Sequence, residues 1–332
     1  MSNPGRAKHY ADFYGQASER AGQDDAAPGD LPLVVVIGNC QAESLRVLLD
    51  ADPGLRSVRV PPVFEWGTRD AEAAARLLAR TDALVMQPVR DDYRGLPSGT
   101  RQLEALLPSS SLRLRIPVLR YAGLHPFQVI VRDPEDSSLD PPGVPYSDLR
   151  TLAQASRAGA GLRPDALPPN APQLEAEALE ALHAESVGQL RAREQAHGTV
   201  VMSDALEARP HWHTINHPDN ATLRILAQRV LEELGRGLGF APDPDGVADP
   251  GRELLRSVEA PVDPTHARAL GAVLRPDART SGWRLGTGRD ARELDEAGIA
   301  REQLAFCRAR PRMIERALAR HGQRMTMLGL LP

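Results

Sequence analysis

The residue with the most evident chemical potential is Cys40, which lies between a strand-like and a helix-like segment. Residues 34–50 read VVVIGNCQAESLRVLLD. The apolar run predicts a buried strand at Leu33–Ile37, and leucines at i, i+3 and i+4 within 45–49 predict one face of a helix. In a parallel α/β sheet such a turn lies at the carboxyl edge, where ligands bind. Cys40 is therefore expected at a helix N-terminus, where the helix dipole favours a thiolate.

The residues beside Cys40 suit nucleophilic catalysis. Gly38 permits a tight turn that other residues resist. Asn39 and Gln41 are uncharged hydrogen-bond donors that can hold an oxyanion together with the backbone N–H groups of the helix N-terminus. The competing interpretation is that Cys40 is a small buried hydrophobe, which is a common use of a free cysteine.

A thiol nucleophile needs a general base, which is most often a histidine. Two of the nine histidines are candidates. His125 lies in YAGLHPF, directly after a predicted fourth strand at 115–123, and His217 lies in NHPDN, directly before a strongly amphipathic helix at 220–238. Each is equally compatible with a loop histidine that makes a structural hydrogen bond.

Three histidines have a spacing that resembles a set of metal ligands. His211, His213 and His217 form the pattern His-x-His-x-x-x-His. A zinc site needs further cysteine, histidine or carboxylate ligands. No adjacent cysteine or glutamate completes the set, so the sequence predicts no metal site.

The elements that must position these residues alternate between strand and helix signals over the first 120 residues. Strand–helix–strand order with short connections favours a parallel sheet covered by helices on both faces. The later part, about 173–332, is rich in long helical segments, and residues 1–30 are polar and aperiodic. The predicted fold class is α/β, with a loosely ordered arm at 1–30, a single catalytic domain at 31–332 and an elaborated helical C-terminal half. A short helix is expected in the arm near Tyr10–Tyr14.

Composition excludes several classes of protein. The net charge of -4 and the aromatic content of 4% give no reason to bind nucleic acid. Cys40 and Cys307 are the two cysteines and do not make a disulfide framework. No apolar run approaches the roughly 20 residues of a membrane-spanning helix, and the N-terminal segment lacks the apolar core of a signal peptide. The chain is predicted to be cytoplasmic.

Four short motifs, in this order, resemble the WcbI family of bacterial polysaccharide biosynthesis. They are Gly-Asn-Cys-Gln at 38–41, Gln87-Pro88 followed by Tyr93-Arg94, Gly-Leu-His-Pro at 123–126 and Asn-His-Pro at 216–218. The resemblance spans about residues 33–275. It implies an acetyltransferase that binds coenzyme A or acyl-CoA. The plan is also similar to that of the SGNH hydrolases, with Gly-Asn-Cys where their Gly-Asp-Ser turn stands.

Coenzyme A needs cations for its phosphates. Arg90 and Arg94 follow a predicted strand end, and arginine forks suit phosphates. Tyr93 is expected to cover the ligand or to be a packed loop aromatic. The resemblance adds three residues to the predicted cofactor-binding set: Gly38, Gln87 and Asn216.

These observations predict an acyltransferase that moves an acyl group, acetyl in the family, to a hydroxyl or amine of a small-molecule or glycan acceptor. The donor is coenzyme A or another thioester, an acyl carrier protein included. Cys40 is the predicted nucleophile or lines the acyl group, and His217 or His125 is the predicted base. Two alternatives stay open: a Cys-dependent esterase or thioesterase on the same scaffold, and a non-catalytic protein that binds coenzyme A or a glycan.

Overall fold

The computed structural model describes residues 4–15, 31–159, 174–243 and 246–331. The helices of these residues are, in chain order, α1 (Pro4–His9), α2 (Cys40–Leu49), α3 (Thr68–Leu78), α4 (Thr100–Glu104), α5 (Leu149–Gly159), α6 (Ala176–His197), α7 (Ser203–Glu207), α8 (Asn220–Leu238), α9 (Pro264–Ala269), α10 (Glu296–Arg308) and α11 (Pro311–Met327). The strands are β1 (Leu33–Ile37), β2 (Arg56–Val58), β3 (Ala83–Met86), β4 (Leu112–Arg115), β5 (Gln128–Val129), β6 (Ser147–Asp148), β7 (Val258–Glu259), β8 (Trp283–Leu285) and β9 (Arg292–Leu294).

Contacts within the chain divide it into two compact units. The first comprises Met1–Leu119, Leu190–Ser203 and Asn220–Leu255, and the second comprises Arg120–Gln189, Asp204–Asp219 and Arg256–Pro332. The single catalytic domain at 31–332 stays a prediction.

The first unit is built on a parallel sheet of four strands in the order β2-β1-β3-β4. The chain moves from β1 to β2 on one side and then crosses to β3 on the other side. The carboxyl ends of β1 and β3 therefore flank the point where the strand order reverses, which is where open α/β sheets bind ligands.

Helices cover both faces of this sheet, as the sequence predicts. Alternate residues of β1, including Val35, pack with the apolar side of α3 and with Trp66. On the other side, α2 contacts both β1 and α8 through the leucines of its buried face. All five residues of β1 are buried, as expected for the central strand of a covered parallel sheet. The predicted α/β fold class is confirmed.

The fourth strand is shorter and earlier than the predicted segment 115–123. It ends at Arg115, and Ile116 makes one more bond from its N–H to the carbonyl of Met86, at 3.0 Å. Pro117 follows and has no N–H to donate to the ladder. His125 consequently does not follow a strand end of this sheet.

The second unit combines helices with small antiparallel sheets. Helices α5, α10 and α11 pack together around one apolar cluster. Two sheets accompany them, β5-β6 and β7-β8-β9. The long C-terminal helices match the predicted helical half, whereas the short strands β7, β8 and β9 within it were not predicted.

Part of the predicted N-terminal arm is packed. Its short helix is α1, slightly before the predicted position. Phe13 is buried and its ring lies 6.3 Å from that of Trp66, and the Tyr14 hydroxyl donates to Asp70 at 2.5 Å. Residues 1–3 and 16–30 of the arm lie outside the described residues.

Candidate active site

Cys40 is the first residue of α2, and two residues separate it from the carboxyl end of β1. Asn39 is the N-cap, and its side-chain Oδ1 accepts a hydrogen bond from the backbone N–H of Gln41 at 2.8 Å. This bond satisfies one of the donors that a helix start leaves unpaired, which explains why the helix begins here. The predicted position of Cys40 at a helix N-terminus is confirmed.

Gln87, the first residue after β3, links this turn to the neighbouring strand. Its Oε1 accepts from the backbone N–H of Asn39 at 2.9 Å, and its Nε2 donates to the side-chain Oε1 of Gln41 at 3.1 Å. The side chain of Gln87 is 2% exposed. The buried side chain of Gln87 thus stabilises the turn through hydrogen bonds. This geometry does not support the prediction that Gln87 binds a cofactor.

Gly38 is required by the close approach of Gln87. A Cβ at this position would lie 2.9 Å from Cδ of Gln87 and closer still to its Oε1. The backbone of Gly38 is not in the left-handed region. The reason for glycine is therefore steric, and the predicted conformational reason is corrected.

Gln41 is also a structural residue. Its Oε1 accepts from the backbone N–H of Leu119 at 3.0 Å, and its Nε2 donates to the carbonyl of Leu119 at 2.8 Å. Gln41 is 1% exposed. The amide is occupied by the segment after β4, so the geometry argues against the prediction that it holds an oxyanion.

Asn39 keeps a donor available. Its Oδ1 is used for the helix cap, whereas its Nδ2 makes no hydrogen bond within the described residues. The residue is half-buried. Of the two predicted oxyanion donors, Asn39 is the one that has a free N–H group next to Cys40.

The thiol of Cys40 is subject to opposing effects. It is half-buried, and burial raises its pKa to about 11. The backbone N–H groups of Cys40 and Gln41 donate to the sulfur and lower the pKa, as expected at a helix N-terminus, but burial outweighs them. The expectation drawn from the helix dipole alone is not met, and the thiol is neutral near pH 7.

The predicted phosphate-binding arginines lie in different surroundings. Arg90 is exposed, forms no ion pair within the described residues, and lines a cleft of about 630 Å³ together with Arg101, Arg115 and His197. Arg94 does not line this cleft. Arg101 and Arg115 are paired with carboxylates, so Arg90 carries the available positive charge of the cleft.

Arg94 and Tyr93 belong to a tight loop, where they form a short 3₁₀ helix with Gly95. Arg94 has a φ of 56°, and its Nη1 donates to the carbonyl of Phe64 at 2.8 Å. Tyr93 packs against the apolar cluster of the first unit. The packed-aromatic alternative describes Tyr93 better than a ligand cover.

The remaining candidates, His125, Asn216 and His217, lie in the second unit. His125 is 4% exposed, and its Nε2 lies 3.1 Å from the carbonyl of Trp212. A carbonyl only accepts, so Nε2 carries the hydrogen. Burial lowers the pKa of His125 to about 4. These features fit the structural alternative for His125 rather than a general base.

His217 lies in a tight turn beside a polar cluster. The backbone N–H of His213 donates to the carbonyl of His217 at 2.9 Å. The ring of Tyr146 meets that of His217 edge to face at 6.3 Å, and its hydroxyl donates to Oδ1 of Asn216 at 2.7 Å. His217 is half-buried and remains the better candidate base. Its pairing with Cys40 stays a prediction.

Tyr146 is a site residue that the sequence did not indicate. It is 70 positions from Asn216, and no motif surrounds it. Its hydroxyl also lies 2.9 Å from Oγ1 of Thr214, so one phenol organises the whole turn before α8. The described residues contain no group of three or more His, Cys, Asp or Glu side chains arranged to hold a metal ion.

The fold and the site define an α/β protein whose cysteine opens a helix at the carboxyl edge of a parallel sheet. The chain matches the family described as "Polysaccharide biosynthesis enzyme WcbI" over residues 33–238, and it belongs to that family. It is accordingly an enzyme of the polysaccharide-biosynthesis class. The SGNH-like plan stays a prediction.

A solved structure shares the fold. It is described as that of WcbI, a novel polysaccharide biosynthesis enzyme, in its native form without a disulfide bond between coenzyme A and one of its cysteines. The TM-score is 0.66 at 18% sequence identity, over 90% of this chain and 99% of that chain. No curated protein matches significantly. In the described part of the chain, no helix has both the length and the apolar character needed to cross a membrane.

Proposed function

We propose that the protein is an acyltransferase that moves an acyl group, such as acetyl, from coenzyme A or another thioester to a hydroxyl or amine of a sugar. The observation that carries the proposal is Cys40 at the N-terminus of α2, next to the spare amide donor of Asn39. A thioester carbonyl at this position would find an N–H donor where its oxygen becomes negative.

The position of Cys40 also suits a residue that lines the binding site of the coenzyme A thiol. The solved structure that shares the fold is described as the native protein without a disulfide bond between coenzyme A and one of its cysteines. A disulfide between coenzyme A and a cysteine requires their two sulfurs to lie within bonding distance. We extend this arrangement to Cys40, with Arg90 as the cation for the phosphates.

The neutral state of Cys40 favours one of two forms of the reaction. A thiol with a pKa near 11 is a poor nucleophile at pH 7 until a base removes its proton. In the form we favour, the acceptor hydroxyl attacks the thioester carbonyl, its proton passes to His217, and the thiolate of coenzyme A leaves. Cys40 then lines the thioester rather than forming an acyl-enzyme.

The test is a disulfide exchange at Cys40. Oxidised coenzyme A is incubated with the protein at pH 8.5, and intact mass is measured. The Cys40 thiolate attacks one sulfur, Cys40 and coenzyme A become joined by a disulfide, and one coenzyme A thiolate leaves. We expect one adduct, lost in Cys40→Ser and kept in Cys307→Ser. Arg90→Ala should slow the reaction with oxidised coenzyme A but not with oxidised pantetheine, which lacks the phosphates.

Two results would overturn the proposal. One is the absence of any adduct in the native protein, and the other is equal modification of both cysteines. Release of coenzyme A from acetyl-CoA without an acceptor, and with no increase when sugars are added, would identify a thioesterase instead.

A further inference from the structure

The second unit contains a polar groove that the proposed reaction does not yet use. Two adjoining cavities of about 360 and 340 Å³ share the residues Gln128, Asp148, Arg150, Trp283 and Glu296. Their sizes fall within the range of small-molecule sites. Trp283 lies beside Tyr146, with ring centroids 5.7 Å apart and an interplanar angle of 25°. The groove therefore has an aromatic wall between polar groups.

Two buried amides of the groove keep one hydrogen-bonding group each. Gln128 is 8% exposed, and its Oε1 accepts from the backbone N–H of Ile215, while its Nε2 makes no hydrogen bond within the described residues. Gln303 is 2% exposed and donates its Nε2 to the carbonyls of Tyr146 and Pro142, and among the described residues its Oε1 has no partner. One spare donor and one spare acceptor are what a hydroxyl group requires.

Ser147 adds a third polar group. It lines the larger cavity and is 2% exposed, and its Oγ makes no hydrogen bond within the described residues. A buried polar group without a hydrogen-bond partner is destabilising. Rotation about χ1 is enough to turn a serine hydroxyl towards a new partner.

The charge of the groove selects against anions. Three carboxylates line it, on Asp148, Asp263 and Glu296, against one guanidinium, on Arg150. Arg150 is already paired with Asp148, with its Nε 3.0 Å from Oδ1. His266 also lines the groove, and burial lowers its pKa, so it adds no charge at pH 7. A phosphate would meet an excess of negative charge here, which separates this groove from any site for the phosphates of coenzyme A.

Tyr146 connects the groove to the candidate base. It lines the larger cavity, its hydroxyl donates to Asn216, and its ring meets that of His217. A molecule in the groove thus lies one aromatic side chain away from His217. This arrangement suits an acceptor whose hydroxyl loses its proton during transfer.

We propose that this groove binds the acceptor and that the acceptor is an uncharged sugar unit. The C–H faces of a sugar ring pack against the aromatic wall, and its hydroxyls bond to the carboxylates and to the spare groups of Gln128 and Gln303. The identification of this sugar as an acceptor rests on the proposed function, whereas its binding does not.

The experiment measures sugar binding without coenzyme A. The probes are the methyl α-glycosides of glucose, galactose and mannose, observed by saturation-transfer NMR with the full chain. We expect saturation transfer to at least one of them. Glucuronic acid, which is an anion, should bind at least about tenfold more weakly. No transfer to any of the three glycosides, or tighter binding of glucuronic acid, would overturn the proposal.

Variants of one helix locate the site. Ala300 on α10 is exposed and lines the larger cavity, whereas Ala305 on the same helix is exposed and lines neither cavity. Ala300→Trp should abolish the sugar signal, and Ala305→Trp should keep it. Gln128→Glu, which keeps the acceptor for Ile215 but removes the donor, should weaken binding at least fivefold. Unchanged binding in both Ala300→Trp and Gln128→Glu would place the sugar elsewhere and overturn the proposal.

The two proposals fail separately. If the disulfide adduct at Cys40 does not form but the glycosides still bind and respond to Ala300→Trp, the groove is a sugar site in a protein of another activity. If the adduct forms but no glycoside binds, the acyl-donor assignment survives and the groove assignment is wrong.

Discussion

The backbone N–H of Asn39 donates a hydrogen bond of 2.9 Å to the side-chain Oε1 of Gln87. This bond joins the second residue after β1 to the first residue after β3, across the point where the strand order reverses. Because Asn39 caps the helix that begins with Cys40, the position of the thiol depends on a side chain 47 positions away in the chain. The turn is therefore fixed by tertiary structure as much as by its own sequence.

Gly38→Ala should destabilise the protein. The new methyl group would meet the buried amide of Gln87, and overpacking of this kind costs about 1–3 kcal/mol. Gly67→Ala is the matched control, since Gly67 also stands before a helix but its nearest atom to an added Cβ is 3.9 Å away. It should cost no more than about 1 kcal/mol. Urea unfolding of the two variants measures the difference, and equal stabilities would contradict the steric role of Gly38.

The β1–α2 turn could be predicted because its signals are local. A continuous apolar run, a glycine and a leucine stripe place Cys40 at a helix start without further information. The role of Gln87 could not be predicted in this way, because it depends on the register of β1 against β3. A buried glutamine that supports a loop and a glutamine that binds a cofactor look the same in sequence.

The second unit was harder to predict for the same reason. Tyr146, Asn216 and Trp283 meet through contacts between segments far apart in the chain, and the strands of that unit are two or three residues long. Strands this short have no measurable periodicity. The sequence places the fourth strand too late, because the apolar segment continues after Pro117 although the hydrogen bonds between the strands end before it.

Asn39 has two separable roles, which two substitutions distinguish. Asn39→Ser keeps an N-cap oxygen but removes the Nδ2 donor, so it should retain stability to within about 1 kcal/mol. Under the proposed acyl transfer, loss of an oxyanion donor should lower kcat by about 10²–10³-fold. Asn39→Ala should lose the cap as well and cost about 0.5–2 kcal/mol. Unfolding and steady-state kinetics on both variants test this. A serine variant with full kcat would exclude Asn39 as the oxyanion donor.

Cys40 should react slowly with iodoacetamide at neutral pH. With a pKa near 11, only a minute fraction of the thiol is ionised at pH 7, and we expect alkylation about 10–100-fold slower than that of an unperturbed cysteine. The rate should still be rising above pH 9. Cys307→Ser provides a protein with Cys40 as its one cysteine, and the same protein in urea supplies the unperturbed rate. A rate that levels off near pH 7 would show that the helix N-terminus dominates over burial.

Low pH should reduce the folding stability of the protein through His125. Burial lowers the pKa of this imidazole to about 4, below the value near 6.5 of the unfolded chain. The unfolded state therefore takes up a proton first as the pH falls. The contribution of this histidine to the free energy of unfolding is therefore complete above pH 6.5. It decreases by about 3 kcal/mol between pH 6.5 and pH 4 and does not change further below pH 4. His125→Gln should be less stable at pH 7 but show a shallower decline between pH 6.5 and pH 4. An unchanged pH dependence would assign the acid sensitivity to other groups.

His217 should control the chemical step and His125 should not. A general base contributes about 10²–10⁴-fold, so His217→Ala is expected to lower kcat by that factor. Its acceptor affinity should change less than threefold, because the groove residues remain. His125→Gln should keep kcat within tenfold and act mainly through stability, since its ring is buried and its Nε2 is occupied by Trp212. The pH profile of kcat/KM should lose its acidic limb in His217→Ala alone, and added imidazole should restore part of kcat there. The reverse pattern would transfer the role of base to His125, and two unchanged profiles would exclude both histidines.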